Sequence, residues 1–263
     1  MNKNFSLALM ALALITFVSS CKKEEGLKGK GPLTIEFDNR SGTSNFALNT
    51  DYTIASGETV NISLLKYYVS NFVLVKDDGS EYTLPQNGNY FLIDEAADST
   101  QKIVLNDIPA GNYTTIKYIL GVDSLRSTMD VSQRTGALDP AGAGSDMYWS
   151  WNSGYIFFRI DATSPQSTEA LNACYFHVGG YGGYSTPTTN NLRTISISSA
   201  EAAQIGEGRN PEAHVDVDIM EAFKSPTTYS IAADGAAFHM PTSAIKFADN
   251  YTDMFTINHM HND

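Results

Sequence analysis

The sequence predicts an all-β protein, an antiparallel, Greek-key-like sandwich with long loops and one short C-terminal helix. Three observations support this fold class. Apolar and polar residues alternate with a period of two in many short segments, turn-forming residues separate these segments, and helical spacing is confined to the last part of the chain. Since 42% of the 263 residues are hydrophobic, the chain is long and apolar enough to bury a sizeable core.

Nine segments have the strand pattern. In chain order they are residues 33–37, 60–64, 67–75, 103–105, 115–120, 155–160, 173–178, 193–198 and 214–219. The first two alternate strictly, and the third is rich in aromatic and β-branched side chains, which favour strands. Asp77-Asp78-Gly79-Ser80 after the third and Pro109-Ala110-Gly111 before the fifth are turn sequences.

Two long loops and two helical segments complete the predicted architecture. Residues 122–146 and 179–191 are rich in small residues, and loops of this length inside a compact domain are often functional. Residues 200–204 are predicted to form a single helical turn. Residues 242–255 place apolar side chains at helical spacing behind a Thr or Ser cap, which predicts the C-terminal helix.

The N-terminal residues predict export. Residues 5–18 form an apolar run that follows Lys3 and is too short to span a bilayer as a helix, so we expect a cleaved signal peptide over residues 1–20. The small residues before Cys21 resemble the lipobox of bacterial lipoproteins, in which that cysteine is acylated and becomes the new N-terminus. The alternative is an ordinary signal peptide with an unmodified cysteine nearby.

The residues after Cys21 predict where the domain begins and where the protein resides. Lys22-Lys23-Glu24-Glu25 resembles the surface-export signal of Bacteroidetes lipoproteins. We therefore expect an outer-membrane lipoprotein on the cell surface or the periplasmic face. A lipidated N-terminus with a flexible tether is expected over residues 21–32, and a single β domain over residues 33–263.

Charge, cysteine content and the absence of certain motifs limit the binding partners, the disulfides and the activities that we expect of this protein. The formal net charge of −12 should repel nucleic acid and anionic headgroups, so no nucleic-acid partner is expected and membrane contact should come from the acyl chains. With Cys21 assigned to the lipid, Cys174 has no partner for an intrachain disulfide. No G-x-S-x-G, H-E-x-x-H or P-loop motif occurs, and we expect a protein that is not an enzyme.

The aromatic run beside the first long loop is a candidate ligand-binding element. Residues 147–155 (MYWSWNSGY) contain Met147 and both tryptophans of the chain. If this segment is extended, Trp149 and Trp151 point to one face. They are either core and edge aromatics or side chains that line a ligand and can be modified.

The histidines supply candidate metal ligands. His177 lies near the end of a predicted strand, on the same face as Tyr175 and on the face opposite to Cys174. His239-Met240 and His259-Met260-His261 set imidazole beside thioether, a combination that suits copper and especially Cu(I). The last of these motifs is alternatively a frayed tail.

A further histidine lies in a strictly alternating strand. His214, Asp216 and Asp218 share one face of the predicted strand 214–219, which fits a metal site. The same alternation is what a half-exposed antiparallel strand must show, and that explanation is the simpler one.

The order of several short motifs resembles that of the MbnP-like copper-binding proteins. The motifs occupy residues 35–37, 66–72, 108–113, 119–123, 147–155, 176–179, 239–240 and 248–250. The resemblance implies an all-β domain that binds one copper ion through two histidines and a tryptophan oxidised to kynurenine by a di-haem peroxidase-like partner. Carried over by motif, it implies His177 as the first ligand and His239 as the second.

One position departs from the family pattern. In the family's copper site the modified tryptophan stands two residues before a ligand histidine, where this chain has Tyr175. Unmodified indole offers only an N–H donor and cannot ligate a metal. Trp149 or Trp151 is then the candidate for oxidation, or two imidazoles with Met240 or water hold Cu(I).

These inferences lead to two expected functions. The first is a lipid-anchored protein that binds a single copper ion for acquisition or buffering. The second is a surface glycan-binding or adhesion module without metal, in which Trp149 and Trp151 stack on sugar rings.

Overall fold

The computed structural model describes residues 26–149 and 154–262. The predicted signal peptide, the lipidation site Cys21, the charged run after it and Trp151 lie outside these residues. Among the helices of the described part, none combines the length and the apolar character that crossing a bilayer requires.

The described residues form fourteen strands. They are β1 (Lys30–Ser41), β2 (Ser44–Asn45), β3 (Asp51–Thr53), β4 (Thr59–Lys76), β5 (Glu81–Thr83), β6 (Tyr90–Asp94), β7 (Lys102–Pro109), β8 (Gly111–Leu120), β9 (Tyr148–Trp149), β10 (Gly154–Thr163), β11 (Ala173–Gly179), β12 (Arg193–Ile205), β13 (Glu212–Asp218) and β14 (Phe255–His261). β1 begins at Lys30, three residues before the strand predicted over residues 33–37.

The strands assemble into two sheets, which confirms the predicted all-β sandwich. The five-stranded sheet has the order β14-β13-β1-β2, with β7 also paired to β1. The nine-stranded sheet has the order β11-β10-β4-β8-β12, with β3, β5 and β6 paired to β4 and β9 paired to β10. One pairing departs from the antiparallel expectation: β1 and β13 run parallel, with Thr34 opposite Glu212 and Arg40 opposite Asp218.

The core lies between the two sheets. Along β1 the side chains alternate between buried and half-exposed positions, and Leu33, Ile35 and Phe37 are fully buried. Phe37 packs edge-to-face on Tyr67 of β4 and Tyr118 of β8, at ring-centroid distances of 6.3 and 5.9 Å. Such contacts between the sheets are what the alternating pattern of β1 predicts.

One predicted element is wrong. Residues 200–204 continue β12 and do not form a helical turn. Ala203 and Ile205 are buried, and they pair with Tyr113 and Gly111 of β8 after a register shift. Ala and Glu are good helix formers, but intrinsic propensity amounts to less than about 1 kcal/mol per residue, and pairing with a neighbouring strand overrides it.

The helical segments are short. The first predicted loop contains α1 (Ser124–Thr128) and three single 3-10 turns, and α2 (Ile231–Asp234) follows β13. The predicted C-terminal helix is present as α3 (Ile245–Asn250), flanked on both sides by 3-10 turns. Its shortness reflects the chain's return into β14 at Phe255.

Asp123 stabilises the start of the first long loop, and its removal is a test of that region. Its carboxylate caps α1 at Arg126 N (3.2 Å) and accepts hydrogen bonds from Asn71 Nδ2 (2.8 Å) and the Tyr90 hydroxyl. We expect Asp123→Ala to lower the free energy of unfolding by about 1–3 kcal/mol in urea denaturation at pH 7. The exposed cap Asp130, changed in the same way, should cost about 0.5–1 kcal/mol.

The effect of Asp123→Ala should depend on pH. Burial opposes the charge of Asp123, but the hydrogen bonds from Asn71 and Tyr90 outweigh it and lower the pKa of the carboxyl in the folded protein. The stabilisation is therefore fully present above the unfolded pKa of about 3.9 and is lost as the pH falls through the folded pKa. The difference between the two proteins should be constant from pH 7 to 5 and shrink below about pH 4; a difference that grows with acid would contradict this.

Candidate metal centre

β11 places His177 at the edge of the nine-stranded sheet. Cys174 is fully buried, whereas Tyr175 and His177 lie on the outer face, as the alternation predicted. β10 pairs along β11 and sets Arg159 opposite His177 and Asp161 opposite Tyr175. The outer face of this edge therefore brings a histidine, a carboxylate and a guanidinium together.

Asp161 holds the imidazole of His177. Its Oδ1 lies 2.5 Å from His177 Nε2, and Arg159 binds the same carboxylate through Nε (3.1 Å to Oδ1) and Nη2 (2.5 Å to Oδ2). Burial raises the pKa of Asp161, but the hydrogen bonds from His177 and Arg159 prevail and lower it to about 2. A neutral imidazole that donates Nε2–H to this carboxylate has its lone pair on Nδ1, which is how metal-binding histidines are commonly oriented.

A charged network fixes the end of the first long loop beside this pair. Asp146 Oδ2 accepts from Lys66 Nζ at 2.9 Å, and Lys66 Nζ also lies 3.1 Å from Asp94 Oδ2. Arg159 Nη1 donates to the backbone carbonyl of Asp146 at 2.6 Å. Burial lowers the pKa of Lys66, but its bonds to Asp146 and Asp94 outweigh this and raise it. The network thus ties the loop to the sheet just before Met147.

The segment that carries His239 runs beside β11. Tyr175 forms a parallel bridge with Ala237, in which Tyr175 N donates to Ala236 O (2.7 Å) and Phe238 N donates to Tyr175 O (3.0 Å). Phe238 is buried, so the next residue, His239, lies on the exposed side. By this register, His239 follows Ala237 as His177 follows Tyr175.

The two predicted histidine ligands thus belong to neighbouring segments on the same side of the sheet edge. They have different partners, since His239 Nε2 lies 3.6 Å from Glu169 Oε1 and its side chain is 77% exposed. Tyr175 stands beside His177, with ring centroids 5.8 Å apart, and is itself 45% exposed. The assignment of His177 and His239 as ligands stays a prediction.

Trp149 and Met240 line one cavity beyond the end of β11. The cavity has a volume of about 420 Å³, and Tyr181, Tyr184 and Pro241 contribute to its walls. The indole of Trp149 lies against Gly179, where a Cβ would come within 2.5 Å of indole Cζ3. The structure therefore places Trp149 and Met240 in the walls of the same cavity. Gly179, on which Trp149 packs, lies two residues after His177 in β11.

Met147 does not line this cavity, although it shares a buried hydrophobic cluster with Trp149. It is fully buried in a second hydrophobic cluster with Tyr68, Tyr155 and Phe157, so its thioether packs in the interior. Trp151 lies outside the described residues.

A second histidine group was missed by reasoning from the sequence. His214, His259 and His261 bring ring nitrogens within 4.8 Å of one another on the five-stranded sheet. Residues 259–261 belong to β14 and are not a frayed tail, and Met260 is buried on the opposite face from both histidines. The His-x-His pattern could have indicated a shared face, but the approach of His214 depends on the pairing of β13 with β14.

The fold and these side chains define an all-β sandwich that presents candidate metal ligands on its outer strand faces. The chain belongs to the MbnP family, whose model matches residues 30–242, and this confirms the resemblance found in the sequence. Among solved structures it is similar to MbnP from Methylosinus trichosporium, with a TM-score of 0.52 and 15% sequence identity over 78% of this chain and 80% of that chain. At this identity the likeness concerns the fold alone. A comparison with curated proteins finds no match.

Proposed function

We propose that this protein binds a single copper ion at the edge of β11 and serves in copper acquisition or buffering. The observation that carries the proposal is the hydrogen bond between Asp161 and His177 Nε2, which directs Nδ1 of His177 as a metal ligand. His239, on the same side of the neighbouring segment, is the second ligand. Membership of the MbnP family supports a copper-related role.

The remaining donor comes from the surroundings of these two imidazoles. Met240 is 57% exposed and offers a thioether, which together with imidazole suits Cu(I). Trp149, in the same cavity, becomes a donor only if oxidation to kynurenine frees its arylamine, and a di-haem peroxidase-like partner would perform that step. The mature chain is held at the outer membrane by a lipid on Cys21, which the sequence around that cysteine supports.

Copper binding is tested with the mature chain and its His177→Ala variant. Because His177 is a ligand in the proposal, we expect the variant to bind Cu(I) about 100-fold more weakly in competition with a Cu(I) chelator under reducing conditions. His239→Ala should weaken binding in the same direction. Thr256→Ala, at an exposed position of β14 on the other sheet, is the matched control and should bind Cu(I) as the unaltered protein does. Equal Cu(I) affinity in His177→Ala would refute the site.

Asp161→Asn tests the orienting carboxylate separately from the ligand. The amide keeps the shape of the side chain but no longer fixes the Nε2–H tautomer of His177, so Cu(I) affinity should fall about tenfold. Asp94→Asn, which removes a carboxylate from the same face without touching His177, should leave the affinity unchanged. Thermal unfolding of both variants separates loss of binding from loss of fold.

The glycan-binding alternative gains no support from Trp149. Its side chain is 9% exposed and packs on Gly179, so it does not present an open ring face for stacking on a sugar.

A further inference from the structure

An irregularity in β14 decides which side chains of this strand face solvent. The buried residues of β14 are Phe255, Ile257 and Met260. His259 pairs with His214 and Ile257 pairs with Val215, so Asn258 is an extra residue without an opposite partner, a β-bulge. Strict alternation from Ile257 would turn His259 inward. The bulge shifts the phase by one residue and places His259 and His261 together on the outer face.

The pairing of β13 with β14 then brings a third imidazole to the same place. His214 lies directly opposite His259, and their rings stack with centroids 4.3 Å apart. His261 stands edge-on to both rings, at 5.0 Å from His214 and 4.8 Å from His259. Three imidazoles therefore converge on one patch of an exposed sheet face.

The ring nitrogens are spaced as ligands of one ion would be. His259 Nε2 and His261 Nε2 are 3.2 Å apart. Two nitrogens bound at about 2.0–2.1 Å to a tetrahedral ion stand about 3.3 Å apart. A nitrogen of His214 lies within 4.8 Å of both, so a modest reorientation of the ring completes the set.

Asn258 sets the tautomer of His259. The Asn258 amide nitrogen donates to Asp216 Oδ2 at 2.7 Å, so its oxygen faces His259 Nδ1 at 2.9 Å and accepts a hydrogen bond from it. With its proton on Nδ1, His259 directs the Nε2 lone pair toward His261. Without metal, His261 Nε2–H donates to that lone pair. When an ion binds both Nε2 atoms, the ring of His261 changes tautomer: Nε2 gives its proton to water and Nδ1 takes one from water, so the imidazole stays neutral.

Two carboxylates contact the ring of His214. Glu36 Oε2 lies 2.9 Å from His214 Nδ1, and Glu212 Oε1 lies 3.2 Å from His214 Nε2. A bond from Nδ1–H to Glu36 leaves Nε2 as the ligand atom, and the carboxylate of Glu212 beside it offers a fourth donor. Lys102 Nζ, 2.7 Å from Glu212 Oε1 and 3.6 Å from Glu36 Oε2, offsets part of the negative charge of the two carboxylates and competes for Glu212.

We propose that His214, His259 and His261 form a second metal site that takes a divalent transition-metal ion, Cu²⁺ or Zn²⁺. Imidazole with carboxylate suits these ions, and Met260 faces the core, so the thioether that would favour Cu(I) is absent from this patch. The order of affinities among divalent ions places Cu²⁺ above Zn²⁺. The site is independent of the proposed copper site at β11, which lies on the other sheet.

The test uses mature protein carrying His177→Ala, so that the β11 site does not contribute. Under oxidising conditions, with Zn²⁺ or Cu²⁺ added alone, this protein should retain one ion per chain in equilibrium dialysis with metal analysis. Adding His259→Ala and His261→Ala should weaken binding of either ion about 100-fold. The Cu²⁺ form of the His177→Ala protein should show hyperfine splitting from several nitrogens in its electron paramagnetic resonance spectrum.

Thr256→Ala is the matched control, because Thr256 lies on the same outer face of β14 and is not a ligand. It should keep the ion. Circular dichroism verifies that the histidine variants fold, as expected for exposed positions. The proposal is overturned if the His177→Ala protein binds no divalent ion, or if it binds one that the added histidine substitutions leave in place. Cu(I) affinity under reducing conditions reports separately on the β11 site, so the two proposals fail independently.

Discussion

Replacing Phe176 with alanine is expected to lower the free energy of unfolding by about 3–5 kcal/mol. Phe176 lies between Tyr175 and His177 in the sequence of β11, and its ring is fully buried. It stacks on Phe247 with centroids 5.5 Å apart and meets Phe223 and Phe238 at 5.3 and 5.5 Å. Because these aromatic side chains surround it on several sides, the cavity left by alanine cannot close without moving them.

The same change should weaken the proposed copper site. Phe238, which directly precedes His239, loses its contact with Phe176, so the position of His239 relative to β11 is held less firmly, by the backbone bonds of the Tyr175–Ala237 bridge and the remaining contacts of Phe238. Chemical denaturation gives the stability, and chelator competition gives the Cu(I) affinity. Phe176→Leu should cost less than Phe176→Ala because leucine fills more of the space of the ring. Tyr184→Ala, at a side chain 79% exposed, should change stability by less than about 0.5 kcal/mol. A loss below about 1 kcal/mol for Phe176→Ala would contradict the role given to this ring.

Gly179→Ala is expected to cost about 2–3 kcal/mol and to displace the Trp149 side chain. An added Cβ would stand 2.5 Å from Trp149 Cζ3 and 2.8 Å from the backbone oxygen of Tyr155. The indole can move, but the carbonyl belongs to β10, which pairs with β11 at this point, so the strand end must shift. The change should therefore alter tryptophan fluorescence and lower stability together.

Gly206→Ala provides the control for this substitution. Gly206 is also buried, but an added Cβ there would have its nearest neighbour, Lys28 O, at 3.4 Å, an ordinary contact distance. It should leave both fluorescence and stability nearly unchanged. If Gly179→Ala leaves fluorescence and stability unchanged, as expected of Gly206→Ala, then the close contact of Trp149 with Gly179 does not fix the position of the indole in the cavity that Met240 also lines.

The strands were predictable from the sequence where their pattern is local. The alternation in residues 33–37 and 214–219 places β1 and β13 correctly, since a strand with one buried face must show a period of two. Residues 200–204 were assigned wrongly because their composition favours a helix while β8 offers a pairing partner. The parallel pairing of β1 with β13 joins distant segments, and no local pattern encodes such a register.

In the candidate sites, too, local features were predictable and contacts between distant segments were not. His177 and its exposed face followed from the strand pattern, and the family resemblance singled it out, but Asp161 was not foreseen because its approach depends on the register of β10 with β11. The convergence of His259 with His214 likewise depends on the extra residue Asn258, whose effect on phase is visible only once the neighbouring strand is present. Contacts between side chains on different strands depend on strand register, and they could therefore not be predicted from the sequence.

The parallel run of β1 beside β13 has a practical consequence for handling this protein. Thr34 is level with Glu212, and Glu212 is level with His261, so both ends of the described chain leave the sandwich on the same side. A polyhistidine affinity tag joined after residue 263 would therefore lie close to His261 and would compete with it for added metal ions. Affinity tags without histidine should therefore be used when the number of metal ions per chain is measured.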